Sequence, residues 1–246
     1  MVDIESLAER IADWMREYAE QASATGYVVG VSGGIDSAVT TALATRAMGV
    51  EHTLGAFLPC LSQPEDARFA RMVIEALKVP VVTVELTATY ETLTAALPSG
   101  PSIAYANVKP RLRMTALYFL AQANGYLVAG TGNKTELMVG YFTKYGDGGV
   151  DIEPLGELYK HEVRALARVL GIPQPVIDRP PTAGLWPGQT DEGELGITYD
   201  ELDAILAALE RGETPHAPPQ TVARVKQMVA TSAHKRSMPP TCPIPR

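Results

Sequence analysis

The stretch YVVGVSGGIDS, residues 27–37, decides the fold that this sequence predicts. Residues 27–31 are apolar and rich in β-branched side chains, as in a buried strand, and a serine and two glycines end that run. Residues 35–48 then place apolar side chains at helical spacing. A strand, a glycine turn and a helix start direct several backbone N–H groups into one concavity, at the positive end of the helix dipole. The stretch therefore predicts a phosphate-binding loop.

Five residues of this loop refine the prediction. Gly33 and Gly34 would let the backbone approach an anion with no Cβ in the way, and Ser32 and Ser37 add hydroxyl donors. Asp36 would repel a phosphate unless a cation lay between them, so it implies Mg²⁺. Neither G-x-x-x-x-G-K-[ST] nor G-x-G-x-x-G follows the strand. An ordinary tight turn between strand and helix is the alternative interpretation.

The composition limits the classes to which the protein can belong. With 246 residues, of which 46% are hydrophobic and 20% charged, the chain fits one α/β domain and not a disordered segment. Its net charge of −7 argues against a general nucleic-acid binder. No apolar run approaches about 18 residues, and no signal peptide precedes the first helix, so no membrane partner is expected. The two cysteines suit neither a disulfide framework nor a metal site, which indicates a reducing, cytoplasmic location.

Strand and helix patterns alternate along the chain, which predicts a parallel sheet flanked by helices. The predicted strands are 27–31, 53–59, 81–86 and 126–131. The predicted helices are 3–22, 35–48, one ending at 78 that a Ser62–Glu65 capping box begins, 89–97, 107–124, 154–170, 199–209 behind a Thr198–Glu201 capping box, and 218–230. The apolar face of the first helix would pack on the core or contribute to a subunit interface.

Polar residues follow several of the predicted strands, where parallel sheets bind ligands. Cys60 could be a sulfur-carrying nucleophile, but no basic residue lies beside it, and we predict that it lines the pocket. Glu136 could share a metal with Asp36, or simply be a carboxylate in the first turn of a helix. Lys160, in the first turn of its predicted helix, indicates an anionic ligand nearby.

The cations Lys109, Arg111 and Arg113 lie together with no acidic residue near them in sequence. Pro110 places them at a helix N-terminus. They predict a local anion site, with a solvated basic face as the alternative.

Three further segments lack helical or strand periodicity. The Gly-rich, aromatic stretch 141–151 is a predicted substrate-binding loop. Segment 171–196 is rich in proline and glycine, and we predict that its part 183–196, which contains Trp186, is a mobile lid. Residues 231–246 form a basic, proline-rich tail.

The motif S-G-G-x-D-S resembles the pyrophosphate loop of the N-type ATP pyrophosphatases, which cleave ATP between the α- and β-phosphates. A longer ordered set resembles the NAD⁺ synthetases: SGGIDS, NVKPRLRM, GTGNKTE, YFTKYGDGGVDIEPL, LYK, PTAGLWPGQTDEGELG and HKR. This resemblance spans residues 32–236. It implies a single domain with a Rossmann-like parallel sheet of the adenine nucleotide alpha hydrolase type.

The resemblance also implies roles for individual residues. ATP would contact Gly30, Val31, Ser32, Gly33, Gly34, Ile35, Asp36, Ser37, Thr131, Lys160 and Thr182. Mg²⁺ would bind Asp36 and Glu136, and with Lys160 these two would form the catalytic centre. Deamido-NAD⁺ would contact Arg111, Lys144, Asp151, His234 and Lys235. NVKPRLRM and GTGNKTE depart from the more frequent bacterial forms, so the contacts of their intervening side chains stay open.

The implied reaction is the ATP-dependent amidation of deamido-NAD⁺ with ammonia, giving NAD⁺, AMP and pyrophosphate through an acyl adenylate. The family is typically homodimeric, and no fused glutaminase domain is expected because the motifs begin at Ser32. Another N-type ATP pyrophosphatase, such as the ATPase subunit of a GMP synthetase or a tRNA-thiolating enzyme, is the alternative. A non-catalytic ATP sensor is a third possibility, although it would not need Asp36, Glu136 and a second nucleotide site.

Overall fold

The computed structural model describes residues 3–186 and 188–244, and its centre is a four-stranded parallel sheet. The strands are β1 Tyr27–Gly30, β2 Thr53–Phe57, β3 Val81–Thr83 and β4 Leu127–Ala129. Their order is β3-β2-β1-β4, so β1 pairs with β2 on one side and with β4 on the other. The predicted parallel α/β sheet is confirmed, with each strand shorter than its apolar run.

Helices flank this sheet, in line with the alternation of the sequence. They are α1 Ile4–Gln21, α2 Ile35–Met48, α3 Pro64–Leu77, α4 Thr87–Ala96, α5 Ser102–Ala106, α6 Val108–Asn124, α7 Lys134–Val139, α8 Lys160–Val169, α9 Gln174–Ile177, α10 Asp191–Leu195, α11 Tyr199–Glu210 and α12 Pro219–Thr231. The capping box predicted for α11 is confirmed, because Thr198 Oγ1 accepts from the Glu201 amide and the Glu201 carboxylate accepts from the Thr198 amide. Within the described ranges, no helix has the length and apolarity needed to cross a membrane.

The helix that follows the phosphate-loop motif, α2, is buried on nearly every side and not on one face alone. Its polar side chains are therefore paired. Thr40 Oγ1 donates to the Gly130 carbonyl at 3.2 Å, and Thr41 Oγ1 donates to the Ser37 carbonyl at 2.7 Å. Buried hydroxyls need such partners. The bond to Gly130 also fixes α2 against the end of β4.

The starts of α3 and α8 differ from the predicted ones for reasons that the structure shows. The Ser62–Glu65 capping box is wrong, because α3 is capped one residue later by Gln63, whose amide donates to Asp66 at 3.0 Å. Pro64 then takes the first helical position, which suits its fixed φ and missing N–H. Ser62 Oγ instead accepts from the Cys60 amide.

The second difference concerns α8, which begins at Lys160 and not at residue 154. Residues 154–157 form a turn, and the Leu158 amide donates to the Leu155 carbonyl at 2.9 Å. The Tyr159 amide donates to the Glu162 carboxylate at 2.8 Å and fixes the start of the helix. Lys160 is consequently the first helical residue, and its amide needs an acceptor outside the helix.

Alanines, and not the large apolar residues, make most of the buried face of α1. Ala8, Ala12 and Ala19 are fully buried beside Met15. Trp14 and Tyr18, two large apolar residues at helical spacing in α1, are 42% and 38% exposed, with their rings 5.9 Å apart. The small alanines let α1 approach α2 closely, which leaves the two aromatic rings at the surface.

The described part of segment 171–196, which leaves out residue 187, contains two short helices, α9 and α10, where the sequence suggests none. Thr190 caps α10 by accepting from the Gly193 amide at 3.3 Å. Helices this short show no detectable period in a sequence, which explains why the pattern predicts only a loop.

Candidate active site

A cavity of about 450 Å³ opens at the carboxyl ends of the parallel strands. Its wall combines the loop after β1, the ends of β2 and β4, the start of α7, and residues 179–185. Parallel α/β sheets bind ligands at this edge, and the volume suits a nucleotide-sized molecule. Of residues 30–37, all but Gly33 line the cavity.

Gly33 is required by packing and not by the approach of an anion. Its φ is +79°, and a Cβ at this position would lie 2.7 Å from both Ala70 N and Phe69 Cβ of α3. Gly34 is different, since a Cβ there would meet only Ser32 Oγ, at 3.3 Å. The two glycines of the motif are therefore needed for different structural reasons. Gly33 lets the loop pass against α3, and Gly34 keeps the side facing the cavity free of a side chain.

The start of α2 fits an anion. Its N-cap residue, Gly34, offers no side-chain acceptor to the first amides of the helix. Ser32 and Ser37 are close to each other, with their Oγ atoms 3.1 Å apart, and Ser37 Oγ donates to the Gly34 carbonyl at 2.9 Å. Uncapped helix amides beside hydroxyl groups form an anion-binding surface.

Lys160, Asp36 and Glu136 meet beside this loop. Lys160 Nζ lies 2.6 Å from Asp36 Oδ2 and 3.0 Å from Glu136 Oε1, and the lysine side chain is only 1% exposed. Asn133 Nδ2 donates to Asp36 Oδ1 at 2.9 Å, and the Tyr199 hydroxyl donates to Glu136 at 3.0 Å. The three residues that the resemblance assigns to the catalytic centre are thus in direct contact, although they come from three different helices.

Burial and charge set the protonation of this centre. Burial raises the pKa of the Glu136 carboxyl to about 7, against the opposing effect of the Lys160 charge. Burial alone would lower the pKa of Lys160, but the two neighbouring carboxylates outweigh it and raise that pKa. Lys160 is therefore a permanent cation at neutral pH, whereas Glu136 can gain or lose a proton there.

The donor set suits Mg²⁺. In residues 3–186 and 188–244, no group of three or more His, Cys, Asp or Glu side chains is arranged to hold a metal ion. Asp36 and Glu136 nevertheless present carboxylate oxygens to one point, as their shared contact with Lys160 shows. Mg²⁺ commonly binds through one or two carboxylates, with water and substrate phosphates completing its shell.

Thr131 and Thr182 both line the cavity, as expected for ATP contacts. Thr182 Oγ1 donates to the Gln189 carbonyl at 2.8 Å and accepts from the Gly184 amide at 3.1 Å. Leu185 also lines the cavity, and its carbonyl accepts from Lys109 Nζ at 2.8 Å. The first part of the predicted lid thus lies over the cavity and is fixed to α6 by a buried lysine.

Three of the residues assigned to deamido-NAD⁺ form a cluster outside the cavity wall. Arg111 Nη2 donates to the Lys144 carbonyl at 3.3 Å, and Lys144 Nζ donates to the His234 carbonyl at 2.6 Å. Tyr145, beside them, is 54% exposed. This cationic cluster faces solvent, so it could only bind a part of a ligand that extends beyond the cavity.

The other two assigned residues have different surroundings. Lys235 lines the cavity, and its Nζ donates to the carbonyls of Gly140 and Phe142 at 2.6 and 2.7 Å. Asp151 instead accepts from the Tyr118 hydroxyl at 3.1 Å and from the Val128 amide at 2.8 Å. Both of its carboxylate oxygens are occupied by groups of the protein, at the edge of β4.

Several contacts of cavity residues were not predicted from the sequence. Arg179 donates to the Gly33 carbonyl at 3.3 Å and pairs with Asp66 of α3, so it joins the base of the lid to the phosphate loop. The Tyr141 hydroxyl lies within 3.1 Å of Asp191 and 2.8 Å of Glu194. These contacts join residues far apart in sequence, and an Arg or Tyr inside a loop carries no periodic signal.

The prediction for Cys60 is wrong in two respects. The thiol is fully buried in the apolar cluster on one side of the sheet, and its Sγ contacts the Leu86 carbonyl at 3.9 Å. Basic groups do lie near it, since burial raises the pKa of this thiol while Arg113 and Lys109 oppose that rise. Arg113 Nε donates to the Leu58 carbonyl at 3.0 Å. A buried thiol with a raised pKa is a structural residue and not a nucleophile.

Comparison with known proteins gives one consistent family. The NAD synthase family model matches residues 7–239. The NH(3)-dependent NAD(+) synthetase of Carboxydothermus hydrogenoformans is 46% identical over 97% of each chain. An NMN synthetase structure from Francisella tularensis has a TM-score of 0.91 and 34% identity, covering 99% of this chain and 100% of that one. The NH3-dependent NAD synthetase of Campylobacter jejuni subsp. jejuni, solved with a nitrate ion, has a TM-score of 0.85 and 28% identity, covering 98% and 100%. With this match over nearly its whole length, the chain belongs to the NAD synthase family.

Proposed function

We propose that this protein is an ammonia-dependent NAD⁺ synthetase. It amidates the nicotinate carboxylate of deamido-NAD⁺ with ammonia and converts ATP to AMP and pyrophosphate. The observation that carries the proposal is the contact of Lys160 with Asp36 and Glu136, next to the uncapped start of α2. Full-length similarity to NH(3)-dependent NAD(+) synthetases supports the same activity.

The chemistry needs positioning and charge stabilisation, and no protein nucleophile. A carboxylate oxygen is a poor leaving group, so it first receives AMP from ATP, and ammonia then displaces the AMP. Negative charge grows on the α-phosphate and on the departing pyrophosphate. The amides at the start of α2 and the Lys160 ammonium stabilise that charge. Ser32 orients the phosphates through its hydroxyl, and Ser37 contacts that hydroxyl at 3.1 Å.

Asp36 and Glu136 would hold Mg²⁺. When bound there, the ion supplies Lewis-acid polarisation of phosphate oxygens. Asn133 and Tyr199 orient the two carboxylates through hydrogen bonds to their oxygens. Such partners of ligating groups fix the direction in which those groups present their oxygens.

The ATP site comprises residues 30–37 with Thr131, Lys160 and Thr182, as the lining of the cavity supports. The acceptor contacts Lys235 inside the cavity and Arg111, Lys144 and His234 at its outside. Asp151 acts on the acceptor only indirectly, by holding β4 and Tyr118. Segment 183–196 closes over the bound substrates and excludes water that would hydrolyse the adenylate. The tail, 231–246, contributes His234 and Lys235.

We also propose a homodimer, in which the exposed cationic cluster meets the second half of the dinucleotide at the subunit interface. The exposed aromatic residues Trp14, Tyr18 and Phe119, at 42%, 38% and 71%, support a subunit interface. Light scattering coupled to size-exclusion chromatography tests this.

The two free cysteines fit a reducing, cytoplasmic location.

One assay tests the activity and separates the alternatives. The purified protein is incubated with ATP, MgCl₂ and ammonium chloride, and AMP is measured with deamido-NAD⁺, with XMP or with no acceptor. AMP formation together with NAD⁺ only in the first arm supports the proposal. XMP-dependent AMP would indicate GMP synthetase chemistry. ATP binding without AMP in any arm would indicate a sensor.

The assay also includes nicotinate mononucleotide as an acceptor, because the Francisella tularensis structure with a TM-score of 0.91 is that of an NMN synthetase. Both acceptors carry the same carboxylate, and they differ only in the adenylate half that the outer cluster would contact. A kcat/KM for the mononucleotide above that for deamido-NAD⁺ would make NMN synthesis the main activity.

A further inference from the structure

The start of α8 depends on two side chains that lie outside the cavity wall. Thr135 Oγ1 accepts from the Lys160 amide at 3.0 Å, and Asp203 Oδ2 accepts from the His161 amide at 3.0 Å. The Thr135 hydroxyl in turn donates to Asp203 Oδ1. The first amides of a helix have no partner within it, so these bonds satisfy groups that would otherwise be buried and unpaired.

Asp203 is built into this position. It is 3% exposed, and Thr135 is fully buried. Besides the two bonds above, Asp203 Oδ2 lies 2.8 Å from His161 Nδ1, so both carboxylate oxygens have partners. One carboxylate on α11 thereby joins α7, which carries Thr135, to α8, which carries Lys160 and His161.

The groups joined in this way are the ones that hold the Lys160 ammonium. Glu136 follows Thr135 directly, and Tyr199 lies one turn before Asp203 on the same face of α11 and donates to Glu136. A shift of Asp203 would therefore move the backbone of Lys160 and its carboxylate partner together. Such a shift would alter where the ammonium lies, because the Lys160 side chain is held between the two carboxylates at 2.6 and 3.0 Å.

We propose that Asp203, acting through Thr135, is a positioning residue for Lys160 in the adenylation step. This inference rests on the proposed function, since it assigns Lys160 to the transfer of AMP. The alternative is an ordinary helix cap that affects stability alone. The two roles predict different effects of an Asp203 substitution in a protein that already lacks the Lys160 ammonium.

The first experiment compares Asp203→Asn with a matched control. Asparagine turns one acceptor oxygen into a donor that faces another donor, without changing the shape of the side chain. Because a displacement of about 1 Å can cost roughly 100-fold in rate, we expect kcat for AMP formation to fall about 10- to 100-fold, with the KM for deamido-NAD⁺ unchanged. The control is Asp200→Asn on the same helix, whose carboxylate is 77% exposed and pairs with Arg164 at 3.0 Å. It should keep the activity of the unmodified protein.

A double-mutant cycle with Lys160→Gln decides between the two roles. If Asp203 acts through Lys160, Asp203→Asn causes no further loss of the residual rate in the Lys160→Gln background. An equal fold-loss in both backgrounds, or an unchanged kcat in the single variant, overturns the proposal. The residual rates are measured at high enzyme concentration, at a temperature at which circular dichroism shows every variant folded.

If Asp203→Asn does not fold, Thr135→Val and Thr135→Ser replace it in the same cycle. Valine keeps the volume and removes the hydroxyl, whereas serine keeps the hydroxyl. A fall in kcat with Thr135→Val but not with Thr135→Ser supports the proposed action of Asp203 through Thr135, provided that the fall disappears in the Lys160→Gln background. Equal rates for the two variants overturn it. Absence of NAD⁺ formation by the unmodified protein would refute the proposed function itself, and is recorded before any variant is made.

Discussion

Removal of the buried cation in Lys160→Met should destabilise the protein in a strongly pH-dependent way. Methionine is unbranched and shorter by one atom, so the main loss is the charge between Asp36 and Glu136. With only 18% and 16% of these two carboxylate side chains exposed, solvent screens their repulsion poorly. Breaking a buried ion pair by removing one partner costs about 3–5 kcal/mol. For a chain of this size that corresponds to a fall in Tm of roughly 6–20 °C near pH 8.

The sign of the pH dependence follows from Glu136. Its pKa is raised to about 7 in the folded protein, above the ordinary value of 4.5. Between these values the folded state binds the extra proton, so stability falls as pH rises through this window. Without Lys160, the pKa of Glu136 rises further and the window extends above 7. The stability deficit of the variant relative to the unmodified protein should therefore shrink on acidification. The change should be about 1.4 kcal/mol per pH unit over the range in which the folded variant binds one proton more than the folded unmodified protein.

The measurement is urea unfolding of Lys160→Met and of the unmodified protein from pH 6 to pH 8. Lys226→Met, at an exposed position on α12, is the matched control and should show no deficit. A deficit that grows on acidification, or one that is constant across the range, would show that the two carboxylates do not depend on Lys160 for their charge balance.

Four further predictions address the proposed activity. Asp36→Asn and Glu136→Gln should each lower Mg²⁺-dependent adenylation on the order of 100-fold or more, and near-normal turnover at saturating Mg²⁺ would remove that residue from the metal site. Arg111→Ala and Lys144→Ala should weaken deamido-NAD⁺ binding in calorimetry while leaving ATP affinity nearly unchanged, and the opposite pattern would reverse their assignment. Hydrogen exchange in residues 183–196 should slow when both substrates bind, whereas equal protection with and without them would make the segment a static loop. At fixed total ammonium, NAD⁺ formation should rise on the alkaline side because NH₃ and not NH₄⁺ carries the free lone pair; equal turnover with ammonium-free glutamine would show a different nitrogen source.

The strand, loop and helix at residues 27–48 could be predicted because they depend on neighbouring residues. An apolar run, two glycines and a helical period are all local signals. The resemblance to NAD⁺ synthetases also implied a common centre for Asp36, Glu136 and Lys160, which local patterns could not. The starts of α3 and α8 were misplaced. The α3 cap pairs Gln63 with Asp66, one residue beyond the predicted box, and the Lys160 amide obtains its acceptor from Thr135, which sequence proximity does not reveal.

The groups around the centre were harder to foresee. Tyr199 and Asp203 belong to a regular amphipathic helix, α11, and their pattern predicts core packing alone. Only the tertiary structure shows that their polar ends meet Glu136 and the start of α8. Arg179 presents the same problem, because its contact with the Gly33 carbonyl spans most of the chain.

The charge of the centre supports the proposal that Mg²⁺ takes part in the reaction. Asp36 and Glu136 contribute two negative charges when ionised, and Lys160 contributes one positive charge, so the group carries a net charge of −1. ATP phosphates would be repelled by that charge, and Lys160 could not turn to them without leaving two buried carboxylates unpaired, at a cost of several kcal/mol. Asp36 and Glu136 would hold a divalent cation that offsets their negative charge, so Lys160 would no longer be their only cationic partner. The lysine then has a hydrogen-bond donor available for the transferring phosphate, which is the role proposed for it here.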